Sequence, residues 1–390
     1  ARGTVHLNWL LPETSDAVTL MEANLVSELL LGHDGSPLSR ALLDSGLGED
    51  IAPSSGLETE LKYLCFSAGL RKVAVEDAKK LESLIMKTLT DIAENGVSSE
   101  ELDTAIHSID FANREIRRAH GPFSLTHMRR SLRGWIQGYG PEKTLRYIPA
   151  FEQVKEKISA DPAYISSLIR TWFLDNCHRA LVTVYPDPDY EKRMNDHLDS
   201  LVRDRTEHLD SAERERLLEE QRILGEKQKK PDSAALLSLI PHLDRSSLPE
   251  VTETIPSEIT HLGTVPLVLH EQPTNGVAYM DLAFPVDGLS AEQYPLLPFF
   301  ATALNACGLD GLDWAAASAL SARYTGGFGT LLFTSSAVEG YEPPAGIGTN
   351  AAGRDYLIIR VKMLQELMEP AVSLVFRFLE KADFSDTGRI

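Results

Sequence analysis

The sequence predicts a duplicated unit of mixed strands and helices, interrupted by a charged helical hairpin. Two observations carry this reading. The stretches on either side of the middle run in the same order: strand, helix, glycine break, short helix, glycine turn, two strands, long helix. Between them, from Asp187 to Lys230, 23 of 44 residues are charged, 13 acidic and 10 basic, while Leu198, Leu201, Leu209, Leu217 and Leu218 keep helical spacing. The expected divisions are 1–186, 187–250 and 251–390, and a length of 390 residues suits two or three domains.

In the first stretch, Val5–Leu11 alternates loosely as a strand does, and Ala17–Leu31 is a helix stopped by Gly32. Gly35-Ser36-Pro37 restarts a short helix, with Ser36 as N-cap and Pro37 at the first helical position. Gly46 and Gly48 end it, ahead of strands near Leu47–Ile51 and Leu61–Leu70. Val75, Ala78, Leu81, Ile85, Leu89 and Ile92 share one face of the next helix. Ser98 and Glu101 form a capping box for a helix reaching Ala119, and Ala180–Tyr185 is a strand ended by Pro186. Mixed-sign helices follow, with a disordered linker as the alternative, and then a short apolar helix over Ala234–Ile240. In the second stretch, strands are expected at Val265–His270 and Val277–Phe284, separated by the turn Pro273-Thr274-Asn275-Gly276. Helices are expected over Glu292–Ala306 and Leu312–Arg323, the latter ending at Gly326-Gly327. Strands Phe328–Thr334 and Tyr356–Val361 and a helix over Leu364–Glu380 complete it. This copy stops before counterparts of the first copy's later helices and last strand, which would leave apolar faces in need of cover.

Composition narrows the function classes. With 57 acidic and 38 basic residues the chain carries −19, which opposes binding to a phosphate backbone. There is no run of 18 apolar residues, so no membrane span is expected. Cys65, Cys177 and Cys307 lie too far apart for a disulfide framework or a zinc ribbon, and a reducing, cytoplasmic setting is the simplest reading. The chain begins Ala1-Arg2-Gly3-Thr4-Val5, with no signal-peptide core, and reads as a piece of a longer protein.

Motifs for chemistry are sparse. Eleven histidines include neither His-Glu-x-x-His nor its inverse; His270-Glu271 runs into Pro273, and His120 and His127 flank a Gly121-Pro122 turn. Cys177-His178 are adjacent and do not face each other. Gly346-Ile347-Gly348 resembles a dinucleotide fingerprint in reversed context, with prolines before it and a strand after it, and reads as a loop. From Ser246 to Ala322 there is no Lys or Arg among nine acids. That stretch is either chance in a well-buried fold or an acidic wall that attracts cationic unfolded peptides.

Taken in order, several blocks carry a resemblance. Leu29-Leu30-Leu31-Gly32-His33-Asp34-Gly35-Ser36-Pro37-Leu38, followed by Leu42-Leu43-Asp44-Ser45-Gly46-Leu47-Gly48, resembles the second domain of insulinase/pitrilysin-type zinc metalloproteases, closest to the presequence-protease (falcilysin-like) subfamily. Ala234–Pro241 with the charged hairpin resembles that family's linker. Pro249-Glu250, Thr264-Val265-Pro266-Leu267 and Tyr324-Thr325-Gly326-Gly327-Phe328 resemble the start of its third domain. The resemblance implies an α+β fold of repeated two-layer units, each a mainly antiparallel sheet with helices on one face. It implies a non-catalytic portion, chamber wall and hinge, of a zinc peptidase that degrades unfolded peptides. Zinc is then expected in a first domain outside this chain, held by an inverted His-x-x-Glu-His motif. The catalytic first domain, the C-terminal domain and unfolded peptide become the partners, with no nucleic acid or membrane among them. No catalytic or metal residue carries over to this chain, and Arg323-Tyr324 are treated as structural. A stand-alone peptide-binding or assembly protein with this fold, and an interaction module centred on the hairpin, are the alternatives.

Overall fold

The computed structural model describes residues 2–116, 122–241, 243–251, 254–336, 340 and 354–388. The glycine string at Gly346 and His120 lie outside these. Strand β1 (Arg2–Glu13) is followed by α1 (Ala17–Leu31), α2 (Pro37–Asp44), β2 (Asp50–Ile51), β3 (Gly56–Glu58) and β4 (Tyr63–Ala74). Helices α3 (Ala78–Asn95), α4 (Ser99–Arg114), α5 (Phe123–Trp135), α6 (Tyr147–Ala160) and α7 (Tyr164–Ile169) precede β5 (Arg179–Val184). The sheet order is β2-β4-β1-β5, with β3 also on β4, and every pairing is antiparallel. Alternation places Val5, Leu7 and Trp9 opposite Leu70, Ala68 and Phe66 in the β1–β4 register, and all six are buried. Burying side chains of this size stabilises the fold by about 1.5–3 kcal/mol each. Leu81, Ile85 and Leu89 of α3 and Leu25 and Leu29 of α1 belong to the same core.

Local chemistry sets the helix ends. Asp16 caps α1 by accepting from the Thr19 amide at 2.8 Å. The Ser98–Glu101 capping box forms in full, with Glu101 N–H donating to Ser98 Oγ at 3.2 Å and Ser98 N–H to Glu101 Oε2 at 3.0 Å. Helix α4 ends at Arg114 rather than near Ala119, because Glu115 turns extended (ψ 125°). Val75 is 42% exposed rather than on the buried face, since Val75–Asp77 form a 3-10 turn ahead of α3.

Pro186–Ser257 form a separate contact unit holding α8 (Tyr190–Thr206), α9 (Ser211–Lys229) and α10 (Ala234–Leu237). No residue of these helices is buried. Local charge supports α9 instead: an Asp210–Glu213 capping box begins it, and Arg222 pairs with Glu219 at 2.6 Å and with Glu226. The apolar helix expected to reach Ile240 ends at Leu237, two residues after which Leu239 is 76% exposed.

The chain then forms the hairpin β6 (Glu258–Leu262) and β7 (Val265–Leu269), followed by β8 (Val277–Pro285), α11 (Leu297–Ala303), β9 (Gly308–Leu309) and α12 (Trp314–Tyr324). Strands β10 (Gly327–Phe333) and β11 (Tyr356–Leu364), helix α13 (Met368–Lys381) and β12 (Ala382–Asp383) end the described part. The helix expected over Glu292–Ala306 is shorter, because Pro295 and Pro298 lack amide donors: a 3-10 turn occupies Tyr294–Leu296 and α11 starts at Leu297. Strand β7 pairs with β6 while β8 pairs with β11, so the Pro273–Gly276 turn links two sheets.

The second sheet, β10-β11-β8, repeats the topology of the first, with β8 in the place of β1 and β11 in that of β4. The repeat extends to backbone detail. Ala74 at the end of β4 (φ −67°, ψ 143°) and Leu364 at the end of β11 (φ −66°, ψ 142°) each lead into a 3-10 turn and then a long helix. On α13, Ala371, Leu374, Val375 and Phe378 are buried against Ile359 and Val361 of β11.

Candidate functional site

The two repeats meet where α12 packs on α4 and on the α1–α2 turn. That turn is built by His33 and Ser36. The Ser36 amide donates to the His33 carbonyl at 2.9 Å, and Ser36 Oγ accepts from the His33 amide at 3.1 Å. Ser36 precedes α2 as expected, but its hydroxyl holds the turn rather than capping the helix, and Pro37 occupies the first helical turn. Gly32 keeps right-handed φ (−65°); a Cβ there would overlap Glu28. At Gly35 a Cβ would lie 2.5 Å from the Ala315 carbonyl, so glycine is what lets the turn approach α12.

Helix α12 reads Trp-Ala-Ala-Ala-Ser-Ala-Leu-Ser-Ala-Arg-Tyr. Small residues bring it close to α4 but leave volume beside it: a cavity of about 610 Å³, floored by Leu29, Ala105, Leu312, Ala315, Ala319 and Leu320. Past the end of α12, a Cβ at Gly326 would run into the Phe111 ring of α4. Gly327 begins β10 opposite Lys362, Gly46 takes a left-handed turn after α2 (φ +65°), and Gly48 lies against the Arg71 carbonyl.

Charge is distributed unevenly around this cavity. Arg40 pairs with Asp313 at 2.9 Å and Asp44 at 3.5 Å, and Arg323 with Glu100 at 3.4 Å and Asp103 at 3.7 Å. Arg323 also lies over the Tyr324 ring at 5.5 Å. Glu28 and Glu101 line the cavity too, and their hydrogen-bond partners are the neutral Ser108 and Ser98. Among the described residues, His33 Nδ1 is buried with no hydrogen-bond partner. Burial pushes the His33 pKa below the usual imidazole value, against the opposing pull of Asp34 and Glu101. His33 belongs to no chemical motif in the sequence; its only signal there is its place in a polar turn between two apolar helices.

Elsewhere, a second contact joins the repeats: Lys362 Nζ of β11 lies 2.7 Å from Glu115, whose side chain is 2% exposed. The stretch lacking Lys and Arg is not a bare acidic wall. Its Asp281, Asp287, Asp310 and Asp313 pair with Arg360, Arg354, Lys381 and Arg40, supplied by other parts of the chain. His127 packs edge-on against Phe123. Among the described residues, no three His, Cys, Asp or Glu converge as metal ligands would, so the side chains present do not fit a zinc ion. Among the same residues, no helix is long and apolar enough to cross a membrane.

Comparison with known proteins adds two family matches. Residues 2–109 match the model of the peptidase M16 inactive domain, and residues 184–390 match that of sequences associated with peptidase M16, subfamily C. Presequence protease 1, chloroplastic/mitochondrial, of Arabidopsis thaliana is 31% identical over 390 residues, covering 98% of this chain and 35% of that protein. The mitochondrial presequence protease of Yarrowia lipolytica is 27% identical over 304 residues, covering 78% and 30% respectively. Protein HypA of Clostridium perfringens is 23% identical over 386 residues, covering 98% and 38%. The chain therefore spans between 30% and 38% of the length of these relatives.

Proposed function

Because the chain belongs to the peptidase M16 family, in its subfamily C, we propose that it serves as chamber wall and hinge of a zinc-dependent peptidase acting on unfolded peptides. The observation that carries this reading is the match of β1 through most of α4 to the inactive-domain model, in a chain aligned along most of its length with a presequence protease. In this reading residues 1–186 form the non-catalytic domain, 187–250 the linker and 251–390 part of the next domain. Zinc, the hydrolytic water and the residues acting on them belong to a catalytic domain of the same polypeptide, outside this chain. That domain, a C-terminal domain and unfolded peptide are its partners. A cytoplasmic location is part of the proposal, although two of the relatives are named for organelles.

A complementation experiment tests it. The chain is mixed with a separately produced catalytic domain and C-terminal domain of a peptidase from the same subfamily, and cleavage of an unfolded fluorogenic peptide is followed with and without zinc. Cleavage in the mixture that exceeds the sum of the parts supports the proposal. If the chain binds the peptide tightly but never raises cleavage, the chamber role fails and a stand-alone peptide-binding protein takes its place.

A further inference from the structure

A second cavity, of about 260 Å³, lies between α1, α4, α5 and the loop that leads into α6, and its lining is basic. Residues 123–146 hold five Lys or Arg and one acid, in a chain where acids outnumber bases 57 to 38. Four of the five, Arg130, Arg133, Lys143 and Arg146, line the cavity. Arg130 and Arg133 are three residues apart on α5 and share one face. The loop is folded back over that helix: Thr144 Oγ1 donates to the Arg130 carbonyl, and Ser131 Oγ to the Pro141 carbonyl at 3.0 Å. Lys143 and Arg146 are thereby brought to the same cavity as the two guanidinium groups. None of the four makes an ion pair among the described residues; Lys143 lies over the Tyr139 ring at 5.9 Å. By contrast Arg129, which does not line the cavity, pairs with Glu60 at 2.5 Å. Among the described residues Glu28 is the one acid on the lining, and Ser108 donates to its Oε1.

Cations placed in this way destabilise the chain unless something answers them. Arg133 Nε is buried with no hydrogen-bond partner among the described residues. Burial, and then the Arg130 charge, push the Arg133 pKa below the usual guanidinium value, against the pull of Glu60 and Glu58. Burial lowers that of Arg130 as well. A buried charge is ordinarily paired, and several guanidinium and ammonium donors around one space match a tetrahedral oxyanion. We propose that this cavity binds a phosphate dianion, free or as the phosphate of a small monoester. Its oxygens accept from Arg130 and Arg133, and Lys143 and Arg146 complete the site from the loop. A carboxylate brings two oxygens and half the charge, and is held more weakly. The assignment is independent of the peptidase reading, since the cavity is formed by side chains of this chain alone.

The test titrates inorganic phosphate, methyl phosphate and acetate into the whole chain by calorimetry, at one low ionic strength and at about pH 8, where both phosphates are dianions. Both are expected to bind at least about tenfold more tightly than acetate, the scale of one charge-assisted contact. A preference for methyl phosphate assigns the site to a monoester, and a preference for inorganic phosphate to the free ion. Arg133→Gln is expected to lower phosphate affinity about tenfold or more. It should not lower the unfolding midpoint of the unliganded chain, because it removes a cation that has no counterion, and phosphate should raise the midpoint of the parent chain but not of this variant. Lys143→Met, at an exposed position on the loop, serves as a second variant with the same expected loss. Arg129→Gln, outside the cavity, should leave phosphate binding unchanged. Absence of phosphate binding, acetate binding as tight as that of phosphate, or unchanged phosphate affinity in both cavity variants would overturn the assignment.

Discussion

Strands β1 and β8 open the two repeats with the same pairing to their second neighbours, yet they are covered to different degrees. β1 is hydrogen-bonded on both edges, by β4 and β5, and buries Val5, Leu7, Trp9 and Leu11. Among the described residues β8 is bonded on one edge, by β11; Val277 is buried, while Tyr279 and Phe284 are 48% and 41% exposed. The cores follow suit. The first repeat has one continuous core in which Trp9, Phe66 and Phe173 meet edge to face, with Trp9 Nε1 donating to the Phe173 carbonyl at 3.0 Å. Among the described residues the second is divided among three smaller clusters, one of which takes in Phe111 from the first repeat. One topology thus supports two levels of packing, and the contact between the repeats, through Phe111, Glu115 and Lys362, ties the looser copy to the tighter one.

The comparison can be broken most directly in the cores. Phe173→Ala is expected to cost near the upper end of about 3–5 kcal/mol in chemical denaturation, and Phe378→Ala near the lower end, because the second core has less to lose. Equal losses would mean that the two repeats are packed alike. The tie between the repeats comes next. Lys362→Met removes the cation beside a carboxylate that is almost fully buried, and should cost about 1–3 kcal/mol, with amides of β11 exchanging faster than those of β4. Gly326→Ala forces a methyl into the Phe111 ring, for a loss of about 1–3 kcal/mol that Phe111→Leu should relieve in the double variant. If the double variant is no better than the single, the contact does not join the repeats as described.

The smallest expected effect is on pH dependence. Burial lowers the pKa of both His6 and His33. Between the folded value and the unfolded value near 6.5, the unfolded chain binds protons that the folded chain does not. Stability from these groups is therefore present above about pH 6.5, falls as pH drops through that value, and levels off below the folded pKa. Replacing His6 and His33 by Asn and Phe should flatten the slope of stability between pH 7 and 5, as read by denaturant titrations at each pH.

Much of this architecture was legible because it is written in local rules. The apolar spacing of α3, the Ser98–Glu101 box, Pro37 at a helix start and the charge pattern of α8 and α9 act over a few residues, and sequence reading finds such signals. The prolines at 295 and 298 were also in plain view, but a helix drawn through them was too long, since apolar spacing outweighed the missing donors. What escaped is non-local. Asp281, Asp287 and Asp310 looked like an unopposed acidic run, because the cations that answer them lie on chain that returns dozens of residues later. The cavity depends on α12 meeting α4 across some 200 residues, and on small side chains whose consequence is the volume they leave unfilled. No spacing rule reports an unfilled volume.

Zinc content and peptide hydrolysis of the purified chain, measured on the same sample, test the non-catalytic assignment most directly. The account predicts no stoichiometric zinc and no cleavage of an unfolded fluorogenic peptide above buffer, with or without added zinc. Cleavage that stays with the chain through repurification, is abolished by a chelator and returns with zinc would contradict it.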